Sequence, residues 1–128
     1  MRTRFYAALV SALLLAGSAP LVAHHSFSAF NTETEKTITG TVNRFEWTNP
    51  HTWIWVDVQE NGKTVTWGVE GMSPNYLGRR GWTKNSLKPG DKVSIVVRPM
   101  RDGSPGGMFV RATLADGREL RQSGQPVD

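Results

Sequence analysis

Histidine occurs at only three positions in the sequence, and two of them are adjacent. His24 and His25 directly follow an apolar N-terminal segment, whereas His51 lies in the middle of the chain. Imidazole binds copper, zinc and nickel, and planar sets of nitrogen ligands favour Cu(II). If the chain is cleaved after Ala23, His24 offers its α-amine as well as its imidazole, which is the histidine-brace arrangement. The three histidines therefore predict a transition-metal site with a preference for copper.

The metal hypothesis predicts a pH dependence, and it has an alternative. The α-amine has a pKa of about 8, so it must lose its proton to bind copper, and the affinity should fall on acidification. The alternative interpretation is that His24 and His25 form a solvated chain end and that His51 hydrogen bonds to a turn carbonyl. The two interpretations make different predictions about whether the N-terminal segment reaches His51.

Methionine provides a second and softer argument for copper, because thioethers prefer Cu(I). Met72, Met100 and Met108 all lie near predicted loops or strand ends. The alternative, which is the more common use of methionine, is to fill irregular gaps in a hydrophobic core.

Tryptophan is the other enriched residue type, with five in the chain. Trp53 and Trp55 alternate with aliphatic residues, so they lie on the opposite face of a predicted strand. Together with Trp47 they predict a ligand-binding surface on which sugar rings or bases could stack. Alternatively, they only cap the barrel by packing against Phe27 and Phe30 of the N-terminal arm.

No recognisable catalytic arrangement is present. The carboxylates of Asp57, Glu60 and Glu70 are scattered over predicted strands and a turn. Ser26 and Ser28 lack the context of a nucleophile elbow. The chain contains no cysteine, which excludes disulfides, thiolate metal sites and a cysteine nucleophile. Nothing in the sequence points to an enzyme, and a binding role is favoured.

Residues 1–23 predict a signal peptide. Arg2 and Arg4 precede an apolar run of about twelve residues, and Ala23 ends the segment at a cleavage site of secretory type. A membrane-spanning helix needs about 20 apolar residues, so an uncleaved anchor is the alternative. We expect a periplasmic or secreted protein with no stable membrane span after cleavage. Removal of the two arginines lowers the net charge from +4 to +2, which argues against a nucleic-acid partner.

The rest of the chain predicts an all-β domain. Asn61-Gly62 is typical of a tight hairpin turn, and Ser73-Pro74 is typical of a helix start. The predicted strands lie at residues 37–47, 52–58, 65–69, 93–97 and 108–114. Three strands, one short helix and two strands is the order of a small five-stranded OB-like barrel. An SH3-like barrel or an open sandwich is the alternative. We expect an N-terminal arm at 24–36, the barrel at 37–120 and a flexible tail at 121–128.

Several motifs together resemble a known family. They are His24-His25-Ser26-Phe27, Gly40-Thr41-Val42, Glu46-Trp47-Thr48-Asn49-Pro50-His51, Ser73-Pro74, Arg79-Arg80-Gly81-Trp82, Leu87-Lys88-Pro89-Gly90-Asp91 and Leu114-Ala115-Asp116-Gly117-Arg118. The chain resembles DUF6152, a family of small exported bacterial proteins of unknown function, over nearly all of its mature length. The resemblance implies export and a single small β domain, and it implies no activity.

The leading functional hypothesis is therefore a copper carrier, chaperone or sensor that uses His24, His25 and His51. The first alternative is a module without metal that binds a glycan, a peptide or an envelope protein on the tryptophan face. The second alternative is a structural accessory subunit.

Overall fold

A computed structural model describes residues 25–123 of the 128-residue chain. Its elements are α1 (His25–Ser28), β1 (Lys36–Glu46), β2 (Trp53–Glu60), β3 (Lys63–Glu70), α2 (Pro74–Gly78), β4 (Lys92–Pro99), β5 (Gly106–Leu114) and β6 (Glu119–Arg121). Between residues 25 and 123, no helix is long and apolar enough to span a membrane. The predicted signal peptide, His24 and residues 124–128 of the predicted tail lie outside the described residues.

The strands β1 to β5 form a closed barrel. β1 pairs antiparallel with β2 and β4, β2 pairs with β3, and β4 pairs with β5. A short parallel pairing between β3 and β5, from Gly68↔Gly106 to Glu70↔Met108, closes the barrel. One short helix, α2, lies between β3 and β4. The predicted five-stranded OB-like barrel is confirmed.

The alternation of apolar residues along the strands builds the core of the barrel. Successive side chains of a strand point to opposite faces, so every second residue is buried. The buried strand residues are Ile38, Val42, Ile54, Val56, Val58, Trp67, Val69, Val93, Ile95, Val97, Phe109, Ala112 and Leu114. In β1 the register shifts between Val42 and Arg44, which is a β-bulge at the point where the alternation of apolar residues along the strand changes phase. The bulge brings Phe45 against the core and increases the coil of β1.

The turn and the helix between the strands follow their sequence signals. Asn61 and Gly62 have positive φ values of 51° and 78°, as a tight hairpin turn requires. Ser73 caps α2, because its Oγ accepts a hydrogen bond from the Tyr76 amide at 3.3 Å. Pro74 occupies the first helical position, where its missing N–H costs nothing.

Trp82 connects the segment after α2 with the end of the chain. Its ring packs edge-on against Phe109 at 5.3 Å between centroids, and its Nε1 donates to the Arg121 carbonyl at 3.0 Å. β6 pairs with β5 through Arg121, one residue into the segment predicted as a tail. The one apolar residue of β6, Leu120, packs against the core, but a single apolar residue shows no period in the sequence. The tertiary hydrogen bonds and the pairing with β5 also hold this segment.

Candidate functional site

A pocket lies between the N-terminal arm and the barrel. The arm contributes Phe27 and Phe30, and the loop between β1 and β2 contributes His51. The remaining lining residues come from the end of β3 and the residues after it, from β5, and from the chain end, and they are Glu70, Gly71, Met72, Met108 and Gln122. The pocket therefore combines residues from five separate parts of the sequence.

The N-terminal arm is fixed to the barrel at the side of this pocket. Phe30 is only 5% exposed and forms a β-bridge with Met100. The Asn31 amide donates to the Pro99 carbonyl at 2.8 Å, and the Arg101 amide donates to the Ala29 carbonyl at 2.9 Å. The arm thus folds back towards the loop that carries His51.

The His51 ring is held by the chain that follows β3. Its Nδ1 lies 3.1 Å from the Gly71 carbonyl oxygen and 3.5 Å from Glu70 Oε1. A neutral ring that donates to the carbonyl carries its proton on Nδ1 and keeps a lone pair on Nε2. Nε2 makes no hydrogen bond to the side chains or backbone of residues 27–123. The bond to Gly71 suits a structural histidine, and it is also the bond that orients many metal-binding histidines.

Thr52 explains why His51 and Gly71 meet. It is almost completely buried, at 1% exposure, and its amide and its Oγ1 both donate to the Met72 carbonyl, at 3.1 Å and 2.9 Å. The Thr52 carbonyl in turn accepts from the Gly71 amide at 2.9 Å. A Cβ at position 71 would clash with Thr52 Oγ1, so this close approach requires glycine. These bonds hold the two backbone segments in register.

The structure treats the three predicted histidines differently. His51 lines the pocket, and His25 is the first residue of α1, two positions before Phe27. His24 lies outside the described residues. Within residues 25–123, no group of three or more histidine, cysteine, aspartate or glutamate side chains could hold a metal ion.

Sequence reasoning did not assign a role to Glu70. Its side chain is 12% exposed and lies beside the His51 ring. The two residues are separated by a hairpin, and no short motif contains both of them. The signal available in the sequence was indirect. His51 lies just before the predicted β2–β3 hairpin and Glu70 lies at its end, so the hairpin brings the two residues to the same end of the barrel.

The three predicted tryptophans do not form one surface. Trp53 and Trp55 stack at 5.7 Å between centroids with an interplanar angle of 18°, on the face of β2 opposite the core. The Arg44 guanidinium lies 5.1 Å above the Trp55 ring. Trp47 instead packs edge-on against Phe45 at 5.8 Å and contacts the core.

A comparison with protein families identifies the chain. The model of a family described as "Family of unknown function (DUF6152)" matches residues 11–110. The chain belongs to the DUF6152 family. The predicted family membership is thereby confirmed, and the family description adds no activity.

One solved structure that matches the chain is that of the mitochondrial single-stranded DNA binding protein Rim1 of S. cerevisiae. The two chains share 13% sequence identity with a TM-score of 0.46, over 70% of this chain and 97% of that chain. This similarity carries no argument about function. No curated protein matches the chain.

Proposed function

We propose that this DUF6152 protein is an exported copper-binding protein that holds Cu(II) between its N-terminal residues and His51. The observation that carries the proposal is that Phe27 and His51 line the same pocket. Phe27 is three residues from His24 in the sequence, which is the basis for proposing that the new N-terminus and the imidazole of His51 bind the same metal ion. The Cu(II) ligands are the His24 amine and imidazole together with His51, and His25 is the neighbouring imidazole.

The surroundings of His51 support a ligand role for its ring. The Gly71 carbonyl accepts from Nδ1, which leaves the Nε2 lone pair for a cation. Glu70 adds a negative charge beside the ring at 3.5 Å, and at low exposure this charge is only weakly screened. A carboxylate next to a metal-binding histidine helps to fix the orientation of the ring. The arrangement favours a cation over a neutral ligand.

A carrier, chaperone or sensor role fits this site better than catalysis. The pocket is small and lies beneath the arm, and its lining is mainly aromatic and thioether-bearing around one histidine and one carboxylate. We therefore propose binding and delivery of the metal as the function.

The test is a Cu(II) titration of protein that begins at His24, beside protein that carries one extra alanine before His24. The extra residue converts the amine into an amide and leaves all side chains in place. We expect the extension to lower the Cu(II) affinity by at least about tenfold. Loss of a residue that only hydrogen bonds to a metal ligand already costs about 10- to 100-fold in metal affinity, and loss of the ligand itself should cost no less. Equal affinity of the two proteins would refute the histidine-brace proposal.

A second comparison tests the contribution of His51. His51→Ala should also weaken Cu(II) binding, and it should reduce the number of nitrogen ligands seen in the electron paramagnetic resonance spectrum, because the His24 amine and imidazole remain bound. Asn85→Ala, in an exposed loop, serves as the control and should leave both the affinity and the spectrum unchanged. A spectrum that is identical in wild type and His51→Ala would exclude His51 as a ligand.

The stacked pair Trp53 and Trp55 supports a second candidate function, the binding of a glycan, a peptide or an envelope protein without metal. Two parallel indoles beside a guanidinium offer a flat and partly exposed platform, and aromatic rings stack on flat ligands. Quenching of tryptophan fluorescence by an oligosaccharide or peptide, absent in Trp53→Ala and unaffected by removal of copper, would favour this candidate.

A further inference from the structure

Met108 lies in the pocket and not in the core. Along β5 the neighbouring Phe109 is 2% exposed and belongs to the core, so Met108 projects from the outer face of the strand. It pairs across the parallel β3–β5 junction with Glu70, which lies outside the core for the same reason. Both residues line the pocket with His51. The usual role of methionine in filling core gaps therefore does not account for Met108.

Met72 reaches the same pocket from the segment after β3. Its amide donates to Gln122 Oε1 at 3.0 Å, and its carbonyl accepts from Thr52 Oγ1 at 2.9 Å. Its side chain packs partly against the core and also lines the pocket. The backbone that carries this thioether is thus fixed relative to His51 by hydrogen bonds that also set the His51–Gly71 contact.

Met100 is separate from these two methionines. Within residues 25–123, Met100 is not one of the residues that line the pocket with His51. Its side chain instead lies beside Gly106 of β5, where an added Cβ would lie 3.4 Å from Met100 Cγ. Met100 therefore serves as an internal control for the two pocket methionines.

We infer that the pocket also binds Cu(I), through the thioethers of Met72 and Met108 together with Nε2 of His51. This inference rests on the proposed copper function and extends it to the second oxidation state. Thioether sulfur is neutral and soft and selects Cu(I), while imidazole accepts copper in general. The nitrogen set of the N-terminus serves Cu(II), and the sulfur side of the same pocket serves Cu(I). His51 is common to both sets.

The test is the Cu(I) affinity of protein beginning at His24, measured anaerobically against the chromophoric chelator bicinchoninate. The variants are Met72→Leu, Met108→Leu and Met100→Leu, since leucine nearly conserves the volume of methionine. We expect each pocket variant to lose at least about tenfold in Cu(I) affinity, because loss of a ligand should cost no less than loss of a residue that only hydrogen bonds to a ligand. Met100→Leu should bind Cu(I) like the wild type. Equal Cu(I) affinities of all four proteins would overturn the inference.

A spectroscopic measurement makes the test independent of folding effects. X-ray absorption of the Cu(I)-loaded protein should show copper–sulfur scattering in the wild type and in Met100→Leu, and weaker sulfur scattering in each pocket variant. A copper shell of nitrogen and oxygen alone in the wild type would overturn the inference. Circular dichroism of each variant shows whether the barrel is folded.

The Cu(I) and Cu(II) hypotheses fail separately. The alanine added before His24 should lower the Cu(II) affinity and leave the Cu(I) affinity unchanged, since the amine is no Cu(I) ligand. Loss of Cu(II) binding on extension together with Cu(I) affinity that ignores Met72 and Met108 would refute only the thioether site. Cu(I) affinity that depends on both methionines, with Cu(II) affinity that ignores the extension, would refute only the N-terminal site.

Discussion

Phe30→Ala should release the N-terminal arm from the barrel while the barrel itself stays folded. Phe30 is 5% exposed, and burial of a phenylalanine side chain contributes about 1.5–3 kcal/mol. Most of this contribution is lost when the side chain is truncated. Because 1.4 kcal/mol corresponds to a factor of ten in an equilibrium constant, the population of the detached arm should rise about ten- to hundredfold.

Hydrogen exchange of individual amides measures this local opening directly. The reporters are the amides of Asn31 and Arg101, which donate to the carbonyls of Pro99 and Ala29 across the arm–barrel contact. Their exchange should accelerate about ten- to hundredfold in Phe30→Ala, in proportion to the open population. The Val42 amide, which bonds to the Asp91 carbonyl at 2.8 Å within the barrel, should exchange as in the wild type.

Phe27→Ala is the matched control, because it removes the same side chain from the same arm. Phe27 is 58% exposed, so scaling by its buried fraction leaves about 0.6–1.3 kcal/mol and an acceleration of about three- to eightfold. Equal acceleration in the two variants would refute the assignment of Phe30 as the anchor. Acceleration of the Val42 amide to the same degree as Asn31 would show that arm and barrel open as one unit.

Two further predictions concern the outer face of the barrel. Gly68→Ala should destabilise the protein by about 1–3 kcal/mol in urea denaturation, because the new Cβ would lie 2.9 Å from Cζ3 of Trp55; the control Gly78→Ala meets no atom within 4 Å and should stay within about 0.5 kcal/mol of wild type. The pKa of Asp57 is lowered from its usual 3.8 by hydrogen bonds from Asn43 and then Thr66, so Asn43→Ala should raise it in an NMR titration. The stabilisation from this lowered pKa is present above the usual value and is lost as the pH falls through the lowered value. An unchanged Asp57 titration in Asn43→Ala would contradict this assignment.

The barrel was predictable because its signals are local. Alternating aliphatic residues define the inner face of each strand, Asn61-Gly62 defines the hairpin, and Ser73-Pro74 defines the start of α2. Even the bulge in β1 was visible as a change of phase in the alternation. Each of these features depends on residues within about one strand length of each other.

The candidate site was predictable only in part. The hypothesis of a copper site at three histidines rested on residue type and on the predicted cleavage site, and the structure places one of the three, His51, in the pocket. The position of Glu70 beside His51 did not follow, nor did the separation of Met72 and Met108 from Met100. These relations depend on the register of the β3–β5 pairing and on the hydrogen bonds of Thr52. The Thr52 bonds join residues about twenty positions apart, and the β3–β5 pairs lie still further apart. No periodic pattern in the sequence indicates such contacts.

The sequence alone thus determined the chemical types available to this protein: three histidines, thioethers, an indole-rich face and no thiol. It also determined which segments form strands and where the helix lies between them along the chain, because alternation and turn residues act over short distances. Only the tertiary structure decided which of these groups meet. Barrel closure placed Met108 and Glu70 on one outer face, and the docked arm placed Phe27 at the same pocket as His51. The physical reason is that barrel closure and arm docking depend on long-range pairing and burial, whose energies no local segment of the chain contains.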